Sequence, residues 1–165
     1  MANKPTRPLT YRIGQLLAIA EFGTRREHDT LLMQRACRHP DTLTAEFASV
    51  VTEWPGPLQR RWQAVMGTME DVPSGAFDAA GETYVRLGHW HECTQISRSI
   101  RVQDARQQLG MSQTDWAQAL GVSVKTVQAW EQGVNNVPEE IEEHARLIRE
   151  RTVNEAKRRP DASQA

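Results

Sequence analysis

The sequence predicts an all-α protein: an N-terminal bundle of about five helices followed by a C-terminal domain of four to five. Three observations predict it. Apolar residues recur at three- and four-residue spacing through most of the chain. No alternating apolar and polar run is long enough for a half-buried strand. The stretch Leu109 to Gly133 reads as two short helices joined by a tight turn. A length of 165 residues suits two small modules better than one large core.

Residues 1–8 carry Lys4 and Arg7 between Pro5 and Pro8 and are expected as a flexible arm. A first helix is expected from about Leu9 to Phe22, with Ile13, Leu16, Leu17 and Ala20 in register and Gly23 at its end. A second runs from about Arg26 to Arg38 and stops at His39-Pro40. Asp41 or Thr42 can cap a third, in which Leu43, Phe47, Val50, Val51 and Trp54 form one stripe. Pro55-Gly56-Pro57 is a break, followed by a helix from about Leu58 to Glu70 whose exposed face holds Arg60 and Arg61. After Val72-Pro73-Ser74-Gly75 a fifth helix would place Phe77, Ala80, Tyr84 and Leu87 on one side. These elements define a bundle over 9–93, with short connections that favour antiparallel neighbours.

The polar segment around 94–98 is expected as a linker, after which Ser99 would cap a helix carrying Ile100, Val102, Ala105 and Leu109. Ser112 caps the next helix, Gln113 to Leu120; Gly121 supplies a residue able to take positive φ, and Val122 fills the corner. Ser123 then caps a helix to about Gln132. Trp116, Leu120, Val122, Val127 and Trp130 share the inner faces of this pair, and the small Ala117 lets the helices approach. Pro138 suits the first position of a last helix, with Glu139, Glu140, Glu142 and Glu143 at its positive end and Arg146, Arg149 and Arg151 toward its negative end. The domain is expected over 99–153, and 154–165, with Lys157-Arg158-Arg159, as a disordered basic tail.

Twenty Lys and Arg stand against 21 Asp and Glu, which is not the balance of a protein that coats nucleic acid indiscriminately. Between Arg98 and Val137, Arg98, Arg101, Arg106 and Lys125 face Asp104, Asp115 and Glu131. One excess positive charge neutralises few phosphates, so such a module needs a second copy or a partner to bind DNA firmly. No apolar run approaches the roughly 20 residues of a membrane span, and the opening MANKPTRP lacks a secretion signal, so a cytoplasmic protein with no membrane partner is expected. Cys37 and Cys93 are two thiols in such a chain, and no disulfide framework is expected.

Ser112-Gln113, Trp116-Ala117, Leu120-Gly121-Val122-Ser123, Thr126-Val127 and Trp130-Glu131-Gln132-Gly133 resemble the helix-turn-helix of the phage Cro/repressor and xenobiotic-response-element group, over about residues 99–150. The resemblance implies a transcriptional regulator that binds double-stranded DNA with its second helix in the major groove. It places Ser123, Val124, Lys125, Gln128 and Ala129 at base-reading positions. There Lys125 can donate to guanine, Gln128 can pair with adenine, and Val124 or Ala129 can touch a thymine methyl. Gln113 and Thr126 are placed for phosphates, and Arg101 can approach the backbone. Trp130 is expected in the core.

A second resemblance lies at both ends of the bundle. Tyr11-Arg12-Ile13-Gly14-Gln15-Leu16-Leu17-Ala18 and Tyr84-Val85-Arg86-Leu87-Gly88-His89-Trp90-His91 resemble the opening and closing phrases of the C-terminal helical region of the type I-C CRISPR surveillance complex large subunit. In that family the region can be made separately as a small subunit. The stretch between Gly23 and Val50 departs from its pattern. The resemblance implies a small-subunit-like component, or a phage or plasmid mimic of one, that docks on such a complex. The chain's partners are thus duplex DNA together with either a second copy of itself or CRISPR surveillance subunits.

Arg25, Arg26, Arg60 and Arg61 are a possible partner or nucleic-acid surface. His89, His91 and Cys93 alternate, but a structural zinc site wants paired ligand clusters, and Cys37, His39, His28 and His144 supply no such spacing; no metal and no cofactor are expected. Glu21, Glu46, Asp78 and Glu82 lack a nucleophile partner or a phosphate loop, so no catalysis is expected.

Overall fold

A computed structural model describes residues 7–25, 30–72 and 74–158. Among them the chain is all-helical. The elements are α1 (Leu9–Thr24), α2 (Thr30–Arg38), α3 (Pro40–Ala48), a 3-10 turn (Val51–Glu53), α4 (Gly56–Met66), α5 (Ala79–Gln108), α6 (Gln113–Leu120), α7 (Val124–Glu131) and α8 (Glu139–Arg158). Two compact units divide between Ile96 and Ser97.

In the first unit α1 is the central element. Tyr11, Ile13, Gly14 and every residue from Leu16 to Glu21 are buried, which suits a helix that is apolar on almost all sides. It packs against α2, α3 and α4. Its crossing with α5 is made by backbone: a Cβ added at Gly14 would fall on the Val85 carbonyl oxygen, and one at Gly88 on the Tyr11 carbonyl oxygen. Phe47, Trp54 and Trp62 close the other side, the two indoles meeting edge to face with centroids 5.4 Å apart. Gly23 leaves room for the Trp54 indole. The interior is also polar. Arg61 donates to Glu92 at 2.7 Å, and Gln15 donates to the second Glu92 oxygen at 2.9 Å.

In the second unit the end of α5 joins α6, α7 and α8 around Trp116, which is fully buried. Val102, Ala105, Ala117, Leu120, Val127, Trp130, Val137 and Ala145 complete that core. Trp130 is therefore core, as expected from its spacing.

Several local expectations are corrected. The boundary between the two units falls within residues 94–98, but that segment is helical and Ser99 caps nothing, because both lie inside the 30-residue α5. That segment is polar but holds neither Gly nor Pro, and its Gln95 and Ile96 are buried. Within the first unit the buried face of α5 is Gly81, Val85, Gly88, His89, Glu92, Gln95 and Ile96; Tyr84 and Leu87 are 44% and 47% exposed. A helix that meets its neighbour through glycine turns its larger apolar residues outward.

Helix α1 ends on Arg25 at φ 55° rather than on Gly23. Pro40 starts α3 as well as stopping α2, so neither Asp41 nor Thr42 caps it. Likewise α4 begins at Gly56, within the expected break, and ends at Met66. Residues 154–158 continue α8, and Arg159 lies outside the described residues, as do residues 1–6 of the expected arm.

The glycine crossing tolerates no side chain. Gly14→Ala or Gly88→Ala is expected to destabilise the first unit by about 3 kcal/mol, since a rigid carbonyl and not a flexible side chain opposes the new methyl. Gly75→Ala, which meets nothing, should change stability by less than about 0.5 kcal/mol in the same urea titration.

Candidate nucleic-acid interface

Helices α6 and α7 are eight residues each, too short to persist in water by propensity alone. Their ends are therefore fixed by hydrogen bonds. Ser112 accepts from the Asp115 amide at 3.1 Å and donates to the Asp115 carboxylate at 2.6 Å. Ser123 accepts from the Thr126 amide at 3.1 Å and meets the Thr126 hydroxyl at 2.8 Å. Both expected caps are present.

The turn between them is equally specific. The Gly121 amide bonds to the Gln118 carbonyl and the Val122 amide to the Ala117 carbonyl, with Gly121 at φ 69°. This is the Schellman arrangement, and it needs a residue at ease with positive φ. The same pair of bonds ends α5 at Gly110 and α7 at Gly133. Three successive helices thus stop by one device, which sets the angle at which each hands over to the next.

A polar clamp ties the helices together. Arg106, at the end of α5, grips Glu131 of α7 through Nε at 2.6 Å and Nη2 at 3.2 Å, and donates through Nη1 to the Met111 carbonyl at 2.8 Å. Gln113, the first residue of α6, donates to Glu131 at 2.7 Å. Its amide oxygen in turn accepts from Gln128 at 3.4 Å. The carboxylate is 9% exposed and the guanidinium 15%, so solvent screens this pair little.

The expected reading positions fall on the first two turns of α7. Ser123 and Lys125 are exposed, while Val124, Gln128 and Ala129 are half-buried along the same helix. Among the described residues Lys125 enters no ion pair. The residues expected at phosphates are differently placed. Gln113 is engaged in the clamp, Thr126 in the cap of α7, and Arg101 with Glu142 at 2.5 Å. Arg98 likewise binds Glu139 and Glu142. From Arg98 to Arg158 nine basic residues stand against nine acidic ones, and five of the basic ones already serve acids on α7 and α8 or within α8.

Of the four arginines expected as one surface, the three described ones are not placed alike. Arg25 and Arg60 are exposed, Arg61 is buried on Glu92, and Arg26 lies outside the described residues. The expectation that Arg61 lies on an exposed face is thereby corrected: the carboxylate of Glu92 draws it inside.

Sequence reasoning also missed a cluster within that unit. His89 Nε2 lies 2.7 Å from a Glu21 oxygen and 3.7 Å from Cys93 Sγ. Burial alone would push the imidazolium pKa down, but the hydrogen bonds to Cys93 and Glu21 outweigh it and raise the value to about 9. One nitrogen serves both neighbours, so no relay runs from carboxylate through the ring to the thiol. His91, the other half of the expected alternation, instead meets the Tyr11 ring in a tilted contact, with centroids 6.2 Å apart and planes at 47°. The available signal was the i,i+4 spacing of His89 and Cys93 on one helix face; Glu21 is 68 positions away.

The second unit thus has the architecture of a DNA-binding helix-turn-helix module. Residues 102–141 match the sequence model of a helix-turn-helix family, a segment that contains both short helices, the turn, both serine caps and the clamp. No curated protein and no solved structure matches the chain significantly. Among the described residues no helix is long and apolar enough to cross a membrane.

The clamp and the caps differ in weight. Removing the Glu131 carboxylate strands the Arg106 guanidinium, so Glu131→Ala should cost the second unit about 3 kcal/mol. Ser123→Ala should cost about 1 kcal/mol and Ser123→Gly only a few tenths. Amide exchange over 112–132 in the full chain reads both.

Proposed function

We propose that this protein is a sequence-specific regulator that binds double-stranded DNA as a homodimer, with α7 in the major groove and the N-terminal bundle supplying dimerisation or partner contact. The observation that carries the reading is the state of Gln128. One amide N–H is directed to Gln113, which leaves Oε1 and the second N–H to a base edge, the pair adenine N6 and N7 require. Lys125, one turn earlier and exposed, reaches guanine O6 or N7, and Ser123, Val124 and Ala129 complete the contact. Gln113, Thr126 and Arg101 approach phosphates through whatever donors their internal bonds leave over. The balanced charge of the second unit argues for two copies on one site, because a single module gains little from phosphate neutralisation.

Selection from a random duplex library at low salt, using the full chain, should yield one preferred sequence built of two half-sites. Lys125→Ala and Gln128→Ala should each reduce discrimination at one base by about 1–3 kcal/mol while leaving affinity for arbitrary DNA nearly unchanged. A folded chain that enriches no sequence contradicts the reading.

A second reading concerns the bundle: a small-subunit-like component or mimic that docks on a type I CRISPR surveillance complex. One observation favours it. The two phrases that carry the resemblance meet at a single helix crossing, Gly14 against Val85 and Gly88 against Tyr11, and so work as one packing unit. Binding of the full chain to a purified type I-C complex supports it, and elution as a separate species from that mixture rejects it.

A further inference from the structure

We propose that Glu21, His89 and Cys93 form a binding site for one divalent transition metal of the zinc class, held between α1 and α5. A carboxylate oxygen, an imidazole nitrogen and a thiol sulfur there lie within 4.8 Å of one another. Such a mixed set selects zinc or cobalt over magnesium or calcium, which prefer oxygen alone.

The donors need only small shifts to reach what the metal requires, no two of them standing more than 4.8 Å apart. Tetrahedral zinc with bonds of about 2.0–2.3 Å keeps its donors about 3.3–3.6 Å apart. His89 Nε2 and Cys93 Sγ are 3.7 Å apart, and Glu21 stands 2.7 Å from Nε2, so its carboxylate withdraws slightly to admit an ion. Both neighbours converge on one ring nitrogen, so the three donors already point toward a common centre that a metal can occupy.

Charge suits the ion: a carboxylate, a neutral imidazole and a thiolate together balance a dication, so the occupied buried site carries no net charge. Glu21 and His89 are buried and Cys93 is half-buried, so the ion enters on the sulfur side and water fills the fourth position. The bound ion cross-links the central helix to α5 and stabilises the first unit by mass action.

The test uses the full chain, reduced and stripped with a chelator, then titrated with cobalt(II) near pH 8. One equivalent should produce visible bands of tetrahedral cobalt and a thiolate-to-cobalt charge-transfer band in the near ultraviolet, and zinc should displace it and raise Tm. Cys93→Ser should abolish the charge-transfer band and weaken binding by more than about tenfold, the loss that even removing an outer partner of a ligand can cause. Cys37→Ser should change neither. His89→Gln should likewise lose the metal, and because it can disturb folding, the half-buried Cys93→Ser carries the test. No cobalt spectrum with no zinc-dependent rise in Tm, or an unaltered spectrum in Cys93→Ser, overturns the proposal.

Discussion

The second unit depends on one guanidinium. Arg106 sits where α5 ends, and its contacts reach the Met111 carbonyl before α6 and the Glu131 carboxylate on α7. Through Glu131 the constraint passes to Gln113, and through Gln113 to Gln128. Two eight-residue helices that could not hold their shape in isolation are thereby fixed in register with the end of α5. The apolar core around Trp116 supplies cohesion but little direction, since hydrophobic burial is not directional. The charged hydrogen bonds supply the direction, and the chain of contacts they begin ends on the Gln128 side chain.

The same distinction governs the first unit. Its core is built on a central helix of small and aliphatic residues, yet the approach of α5 is set by two glycines and by polar pairs. Arg61 with Glu92, Gln15 with Glu92, and His89 with Glu21 all tie α5 to the body of the unit. Buried pairs of this kind contribute less to net stability than to uniqueness, because alternative packings leave a charge without its partner. With the crossing made by backbone, α5 presents Tyr84, Leu87 and Trp90 outward, Trp90 being 65% exposed.

The caps and turn of the helix-turn-helix were legible in the sequence: Ser112, Gly121 and Ser123 are local signals, and each acts on neighbours three or four positions away. The all-helical class was legible for the same reason, since periodicity is local. What escaped was non-local. Nothing in Arg60-Arg61 says that Glu92 will pull the second arginine inside, and nothing near His89 points to Glu21. The side of α5 that is buried was misread because periodicity favours Tyr84 and Leu87, whereas close packing favoured Gly81, Val85 and Gly88. At 94–98 polarity marks where the units divide but not a break in the helix, since a helix without Gly or Pro continues when its inward residues find a core.

The most direct measurement is amide hydrogen exchange of the full chain with and without a duplex to which it binds. If α7 is the reading helix, protection rises over 112–132 and is greatest at 123–129, while α8 and the first unit change only where copies meet. Protection confined to Arg25, Arg60 or the residues beyond Arg158, with 112–132 unaltered, would contradict the account.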